Sequence, residues 1–287
     1  MRNLHTVAEL YKRAKTGLAL GGIPRPEIEA RMIISHLAKI PLKSLPLHWE
    51  GEVESGIEPL DRIIHRRVER EPLQLIFGKW DFLGREFFLE QGVFVPRQET
   101  EILVEFAISK MKGRKGELSG LEVGSGSGVI SVSLLLEVEN ILMSATDISR
   151  RAVSLTRKNG EAHGVLDRLE LHRGDYRNCT YQDPEFDLVI SNPPYLSRKE
   201  LDSAMTEVKG HDPMEALLGG ENGFEFMVEF LAFSNRMLKE GGELIFEFGY
   251  GQEEPIRQMV DNIPSLEFLE VVRDLAGIPR VGYVRKW

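Results

Sequence analysis

Apolar positions recur at helical spacing through the first 70 or so residues, and strand-like runs begin only at Phe77. Val7, Leu10, Tyr11, Ala14 and Leu18 share one face, behind a Thr6-Val-Ala-Glu9 capping box and ahead of a Gly21-Gly22 stop. Pro26 suits the start of a second helix, with Ile28, Met32, Ile33 and Leu37 as its apolar face. A third helix is expected over residues 59–69, ending before Pro72. Lys79-Trp-Asp-Phe and Arg85-Glu-Phe-Phe-Leu then flank Leu83-Gly84 as a hairpin. Pro96-Arg-Gln-Glu-Thr-Glu opens a helix to about Met111, and residues 112–120 form a polar connector.

After Gly120 strand and helix patterns alternate, the signature of a parallel sheet in an α/β fold. Strands are expected at residues 121–123, 141–146, 169–172, 186–191, 243–248, 268–272 and 282–285. The last two lack a long helix between them, so they should pair antiparallel at the end of the sheet.

Composition narrows the class. The 287 residues are 42% hydrophobic and 28% charged, which fits a globular chain and argues against disorder. Apolar runs such as residues 129–136 fall short of the roughly 20 residues a membrane span needs. The polar start carries no signal-peptide core, and the single Cys179 excludes an internal disulfide or a multi-thiolate zinc site. A cytoplasmic protein without a membrane partner is expected. The net charge of −9 speaks against a basic nucleic-acid binder. Residues 1–80 nevertheless hold 13 Lys/Arg against 10 Asp/Glu, so this mildly basic piece suits either an acidic partner or a plain solvated surface.

Glu122-Val-Gly124-Ser125-Gly126-Ser127-Gly128 follows a strand and opens a helix. Val129 stands where a dinucleotide fingerprint wants its third small residue, and no Walker Gly-Lys-Ser/Thr follows. An acidic strand end suits a cationic sulfonium better than a pyrophosphate. Asp147 closes the second strand, where a carboxylate can accept two ribose hydroxyls. Asp175-Tyr176 closes the third, where a carboxylate and a ring can hold a purine. S-adenosyl-L-methionine, leaving as S-adenosyl-L-homocysteine, is the cofactor these three ends suit.

Asn192-Pro193-Pro194-Tyr195 closes the fourth strand, where ligands of open α/β sheets bind. A planar NH₂ group on an amide or a base is a poor nucleophile because its lone pair is delocalised. If the Asn192 side-chain oxygen and the Pro193 carbonyl each accept one N–H, the nitrogen is held in line with the methyl. Tyr195 would offer an aromatic face to a planar substrate group. The seven histidines show no metal-ligand spacing, so no metal is expected.

Together these segments resemble the HemK/PrmC family, the glutamine N5-methyltransferases of peptide-chain release factors. The resemblance extends to Pro72-Leu-Gln-Leu-Ile-Phe-Gly78, Gly92-Val-Phe-Val-Pro-Arg-Gln-Glu-Thr-Glu101, Asp212-Pro-Met-Glu-Ala-Leu-Leu-Gly-Gly-Glu-Asn-Gly223 and Asp274-Leu-Ala-Gly-Ile-Pro-Arg280. It implies a Rossmann-like seven-stranded methyltransferase domain over residues 96–287. A helical substrate-docking domain would span residues 1–75, and a β-hairpin linker residues 76–95. The implied acceptor is the glutamine of the Gly-Gly-Gln loop in class I release factors, with the enzyme a monomer and no nucleic acid bound directly. By motif position Gly124–Gly128, Asp147, Tyr176 and Asn192 would meet the cofactor, joined by Glu122 and Asp175 from the reading of the strand ends. Asn192–Tyr195 would hold the glutamine amide, with Phe94 bordering the pocket. The chain departs from the family at Tyr176, often Trp, at Gln98, usually Pro, and at Leu75, often Tyr. A ribosomal-protein glutamine methyltransferase, a nucleic-acid amino-methyltransferase and a non-catalytic cofactor-binding scaffold are the alternatives.

Overall fold

The computed structural model describes residues 5–53, 57–179, 181, 184–204 and 206–287, which fall into two units, Met1–Gly78 and Lys79–Trp287. The first unit holds β1 (His5–Thr6), α1 (Val7–Leu20), α2 (Pro26–Ala38), β2 (Glu52–Val53), α3 (Ile57–Val68) and α4 (Leu73–Phe77). Thr6 caps α1: its hydroxyl accepts the Glu9 amide at 3.2 Å, and the Glu9 carboxylate accepts the Thr6 amide at 3.0 Å. α1 buries Val7, Leu10, Ala14 and Leu18, as their spacing requires. α2 departs from its expected face. Its buried stripe runs through Ala30, Ile33 and Ile34, and Ile28 is left 47% exposed, because a buried alanine adds little to an apolar periodicity. The Arg67 guanidinium meets Glu29 at 2.7 Å and ties α3 to α2.

The second unit opens with the antiparallel hairpin β3 (Lys79–Phe82) and β4 (Arg85–Phe88), turning through left-handed Leu83 and Gly84. The strands match the hairpin read from sequence to within one residue, at Leu89, while residues 73–77 are helical and no strand continues from Phe88 to residue 95. Its last strand is anchored by Asn159, whose Oδ1 accepts the Phe88 amide at 2.8 Å and whose Nδ2 donates to the Phe88 carbonyl at 3.0 Å.

Then follow α5 (Gln98–Met111), β5 (Leu118–Val123), α6 (Val129–Glu137), β6 (Ile141–Asp147), α7 (Arg150–Ala162), β7 (Leu169–Arg173) and β8 (Phe186–Ser191). A short excursion carries β9 (Leu196–Ser197), α8 (Arg198–Ser203), α9 (Thr206–His211) and β10 (Leu218–Gly220). The chain ends with α10 (Glu225–Met237), β11 (Leu238–Glu247), α11 (Glu253–Asp261), β12 (Leu266–Arg273) and β13 (Pro279–Lys286). The main sheet has seven strands in the order β12-β13-β11-β8-β5-β6-β7. β13 inserts between β12 and β11, antiparallel to both, while the remaining pairs are parallel.

Alternation along the strands feeds two apolar layers. Leu188, Ile190 and Ile245 join α5 and α6 on one face; Val189, Leu244 and Phe246 join α10 and α11 on the other. The register pairs Glu122 with Ala145 and Ile190, and Ser191 with Phe246. Val123, Asp147, Ser191 and Glu247 therefore finish at one edge of the sheet. Among the described residues no helix is long and apolar enough to cross a membrane.

Candidate active site

A cavity of about 370 Å³ opens at that carboxyl edge, within the size range of small-molecule sites. Its walls come from the turns after β5, β6, β7 and β8, with Phe94 and Thr100 from the segment entering α5.

The glycine turn reaches the cavity because nothing projects from it. Gly126 has a φ of +53°, and a Cβ there would meet no atom within 4 Å. Its amide donates to Asp147 Oδ2 at 2.9 Å, while Ser149 donates to Oδ1 at 2.8 Å. Each Asp147 oxygen is thus held from behind, with a second lone pair free for a ligand hydroxyl. Burial pushes the Asp147 carboxyl upward. Two residues of α7 stiffen the turn, and sequence patterns alone did not single them out. Thr156 donates to the Gly126 carbonyl at 3.1 Å, and Asn159 to the Ser127 carbonyl at 2.8 Å.

Glu122 lies beneath this turn, fully buried. Its Oε2 accepts from the Ser131 amide at 3.0 Å and from the Ser131 hydroxyl. Among the described residues its Oε1 is buried with no partner, and burial raises the carboxyl to about 8. A cationic ligand would complete this orphaned oxygen. With Asp147, Glu215 and Glu229 also on the walls, the cavity is rich in carboxylates. Among the described residues no cluster of His, Cys, Asp and Glu could hold a metal ion. A sulfonium cofactor bearing an ammonium group and ribose hydroxyls fits this donor set.

Several expected contacts are placed differently. Gly124, Ser125, Gly126 and Ser127 line the cavity, but Gly128 does not. It caps α6 at a φ of +81°, and a Cβ there would stand 2.7 Å from Thr156 Cγ2, so its absent side chain serves helix packing. Asp175 lines the cavity, yet its carboxylate is already gripped by Arg177, with Nε at 2.9 Å, which holds it below the usual range. Tyr176 presents a ring packed against Phe226 at a centroid distance of 5.6 Å and Phe233 at 4.8 Å. Phe94 borders the cavity and carries the Arg97 guanidinium over its face.

Asn192, Pro193 and Pro194, in the turn after β8, line the same cavity. Ser191 fastens their strand to β5 through a 2.7 Å bond to the Val123 carbonyl. Tyr195 is absent from the wall; a Cβ on Gly249 would lie 2.9 Å from Tyr195 Cδ2, so the ring covers that glycine. Gln252 holds the turn by donating to the Tyr195 carbonyl at 2.9 Å while accepting the Gly249 amide at 2.9 Å. Tyr195 therefore supports the turn where an aromatic platform for substrate was expected.

Two residues beside Asn192 carried no site role in the sequence. Asn192 Nδ2 donates to Thr100 Oγ1 at 3.0 Å, and Thr100 Oγ1 donates to Glu247 Oε2 at 2.8 Å. They lie 92 and 147 residues apart in pairs, so no local spacing links them.

The comparisons with known proteins agree with this architecture. Residues 85–209 match the family model for the methyltransferase small domain, and residues 9–78 that for the PrmC N-terminal domain. The chain is 31% identical to a release factor glutamine methyltransferase of Fusobacterium nucleatum, over 97% of this chain and 78% of the relative. It is 32% identical to the protein of that name from Nitratidesulfovibrio vulgaris, over 98% of this chain and 95% of the relative. A solved tRNA m1G37 methyltransferase of M. jannaschii shares the fold, with a TM-score of 0.50 and 16% identity over 72% of this chain and 56% of its own.

Proposed function

Because the chain belongs to the release factor glutamine methyltransferase family, we propose that it moves a methyl group from S-adenosylmethionine to the side-chain amide nitrogen, N5, of a release-factor glutamine. The acceptor is the glutamine of the Gly-Gly-Gln loop in class I release factors. The observation that carries this reading is one cavity whose lining includes both the Glu122 and Asp147 carboxyls and the Asn192–Pro193 acceptors.

The bound cofactor supplies an electrophilic methyl on a positively charged sulfur. Asp147 would hold the ribose hydroxyls, Glu122 would meet the cofactor's positive charge, and Tyr176 would pack against the purine. In the turn after β8 the Asn192 Oδ1 and the Pro193 carbonyl each accept one hydrogen of the glutamine NH₂. Both prolines lack an N–H, so the turn presents acceptors without a competing donor. Holding the planar amide this way fixes its nitrogen along the transfer line and raises its negative character, a contribution of positioning and electrostatics with no strong base. After transfer the nitrogen sheds one proton to solvent. The first unit, mildly basic, would dock the body of the release factor.

The test is transfer of labelled methyl from S-adenosylmethionine to four acceptors. These are a class I release factor, the same factor with its loop glutamine changed to alanine, ribosomal protein, and unmethylated DNA. Label on the intact factor alone is expected. Label on ribosomal protein or DNA instead would overturn the assignment, and label on none would point to a non-catalytic role.

A further inference from the structure

Resting on that reading of Asn192, we propose that Thr100 and Glu247 are positioning residues that hold the Asn192 carboxamide with its nitrogen inward and its oxygen toward the substrate amide. An asparagine amide is nearly symmetric in shape, so packing alone does not decide which end faces a ligand. Hydrogen bonding does. The Thr100 hydroxyl has one hydrogen, and the Glu247 Oε2 takes it at 2.8 Å. An ionised carboxylate only accepts, so that hydrogen has no competing use. The Thr100 oxygen is left with lone pairs toward Asn192, where only the Nδ2 end can meet it, at 3.0 Å. Turned over, the amide would set oxygen against oxygen with no hydrogen between them.

The fold delivers the three groups together. Ser191 and Phe246 are register partners on adjacent parallel strands, so Asn192 and Glu247 follow side by side at the sheet edge. Thr100 enters from the first turn of α5, buried at 2% exposure. Among the described residues Asn192 Oδ1 has no hydrogen-bond partner, and Asn192 lines the cavity. The relay ends where the substrate nitrogen must sit.

The charge at its inner end is titratable. Glu247 is faced by Glu99 on α5, Arg97 just before it, Arg280 on β13 and Tyr195 on the turn after β8. Burial raises its carboxyl to about 7 against the bond from Thr100 and the two arginines. Protonated on Oε2, the carboxyl would become a donor to Thr100, freeing the hydroxyl hydrogen to turn toward Asn192. The relay would then favour the amide with its oxygen inward. Turnover should therefore fall as pH drops through the Glu247 titration.

The experiment measures kcat and KM for methyl transfer to the intact release factor at saturating S-adenosylmethionine, across the neutral pH range. Cofactor affinity is titrated in parallel for wild type, Thr100→Val, Thr100→Ser and Glu247→Gln. Thr100→Val should lose about 10- to 100-fold in kcat, with cofactor affinity changed by less than about twofold. Thr100→Ser, which restores the hydroxyl, should recover most of that loss. Glu247→Gln should lose the acid limb, because its amide does not titrate. It should do so at a lowered plateau, because the amide can present either its oxygen or its NH₂ to Thr100. Wild-type kcat in Thr100→Val, equal loss in Thr100→Ser, or an unchanged acid limb in Glu247→Gln would each overturn the proposal. If Thr100→Val does not fold, the other two variants decide. No transfer by wild type would sink the functional reading itself, whereas transfer unaffected by these variants would sink only the relay.

Discussion

The Asp147 carboxylate is bonded to the Gly126 amide at 2.9 Å, so the glycine turn and the end of β6 form one rigid rim. Ser149 closes the other oxygen at 2.8 Å. Both bonds need acceptors, and Asn in place of Asp would set an NH₂ against one of the two backbone N–H groups. Asp147→Asn should weaken S-adenosylmethionine binding by roughly 2 kcal/mol, about 30-fold, from an unsatisfied donor and a lost charge. Isothermal titration would show it, with kcat at saturating cofactor largely kept. Unchanged affinity would mean that Asp147 does not hold the ribose.

Asn192→Ala removes the side-chain acceptor for the glutamine amide and leaves the Asp147 rim untouched. Loss of one such preorganised contact should lower kcat by about 10²- to 10³-fold. Cofactor affinity should change little. Transfer near the wild-type rate would remove Asn192 from the mechanism.

The sheet strands and both site loops were legible because their signals are local. Residues 186–191 read as a strand and β8 is Phe186–Ser191; Gly126 sits where its turn needs an open backbone. The insertion of β13 between β12 and β11 was not legible, since antiparallel pairing of the last two strands does not say which one joins β11. Thr100, Asn159 and Glu247 were missed for the same kind of reason. Each acts across 32 or more residues, as in the Asn159–Ser127 contact, and each belongs to a residue type common in ordinary helices and strands. The direction of the Tyr195 ring was not legible, because its motif fixes the backbone turn whereas the ring packs on the bare backbone of distant Gly249.

The glycine turn separates binding from stability. A Cβ at Gly128 would lie 2.7 Å from Thr156 Cγ2 and 3.0 Å from Thr156 Cα, and the backbone cannot yield cheaply. With its left-handed φ, Gly128→Ala should cost about 2–4 kcal/mol of stability. Gly126→Ala meets no atom within 4 Å, so it should cost only about 1–2 kcal/mol of backbone strain. Its methyl would instead stand in the cofactor's approach. Urea denaturation and cofactor titration on both variants would check this. A Gly128→Ala protein as stable as wild type would contradict the packing role.

Glu122 gives the unliganded protein a pH dependence whose sign is fixed by burial. Its carboxyl is raised from 4.5 to about 8 in the folded chain, chiefly by desolvation and against two bonds from Ser131. Between those values the folded state holds a proton that the unfolded state has lost, so stability falls as pH rises through this window. Below it both states are protonated and the stability is fully present; above it both are ionised and the folded state bears a buried, half-partnered charge. Glu122→Gln keeps an acceptor for Ser131 and cannot ionise. It should therefore raise stability at the alkaline end by roughly 1–3 kcal/mol and flatten the slope of Tm against pH. S-adenosylmethionine, by setting positive charge against Oε1, should lower the Glu122 pKa and recover part of the lost stability in wild type. In Glu122→Gln that recovery should shrink. Melting curves at acid, neutral and alkaline pH, with and without cofactor, measure all of this, and equal slopes for the two proteins would show that Glu122 does not titrate there.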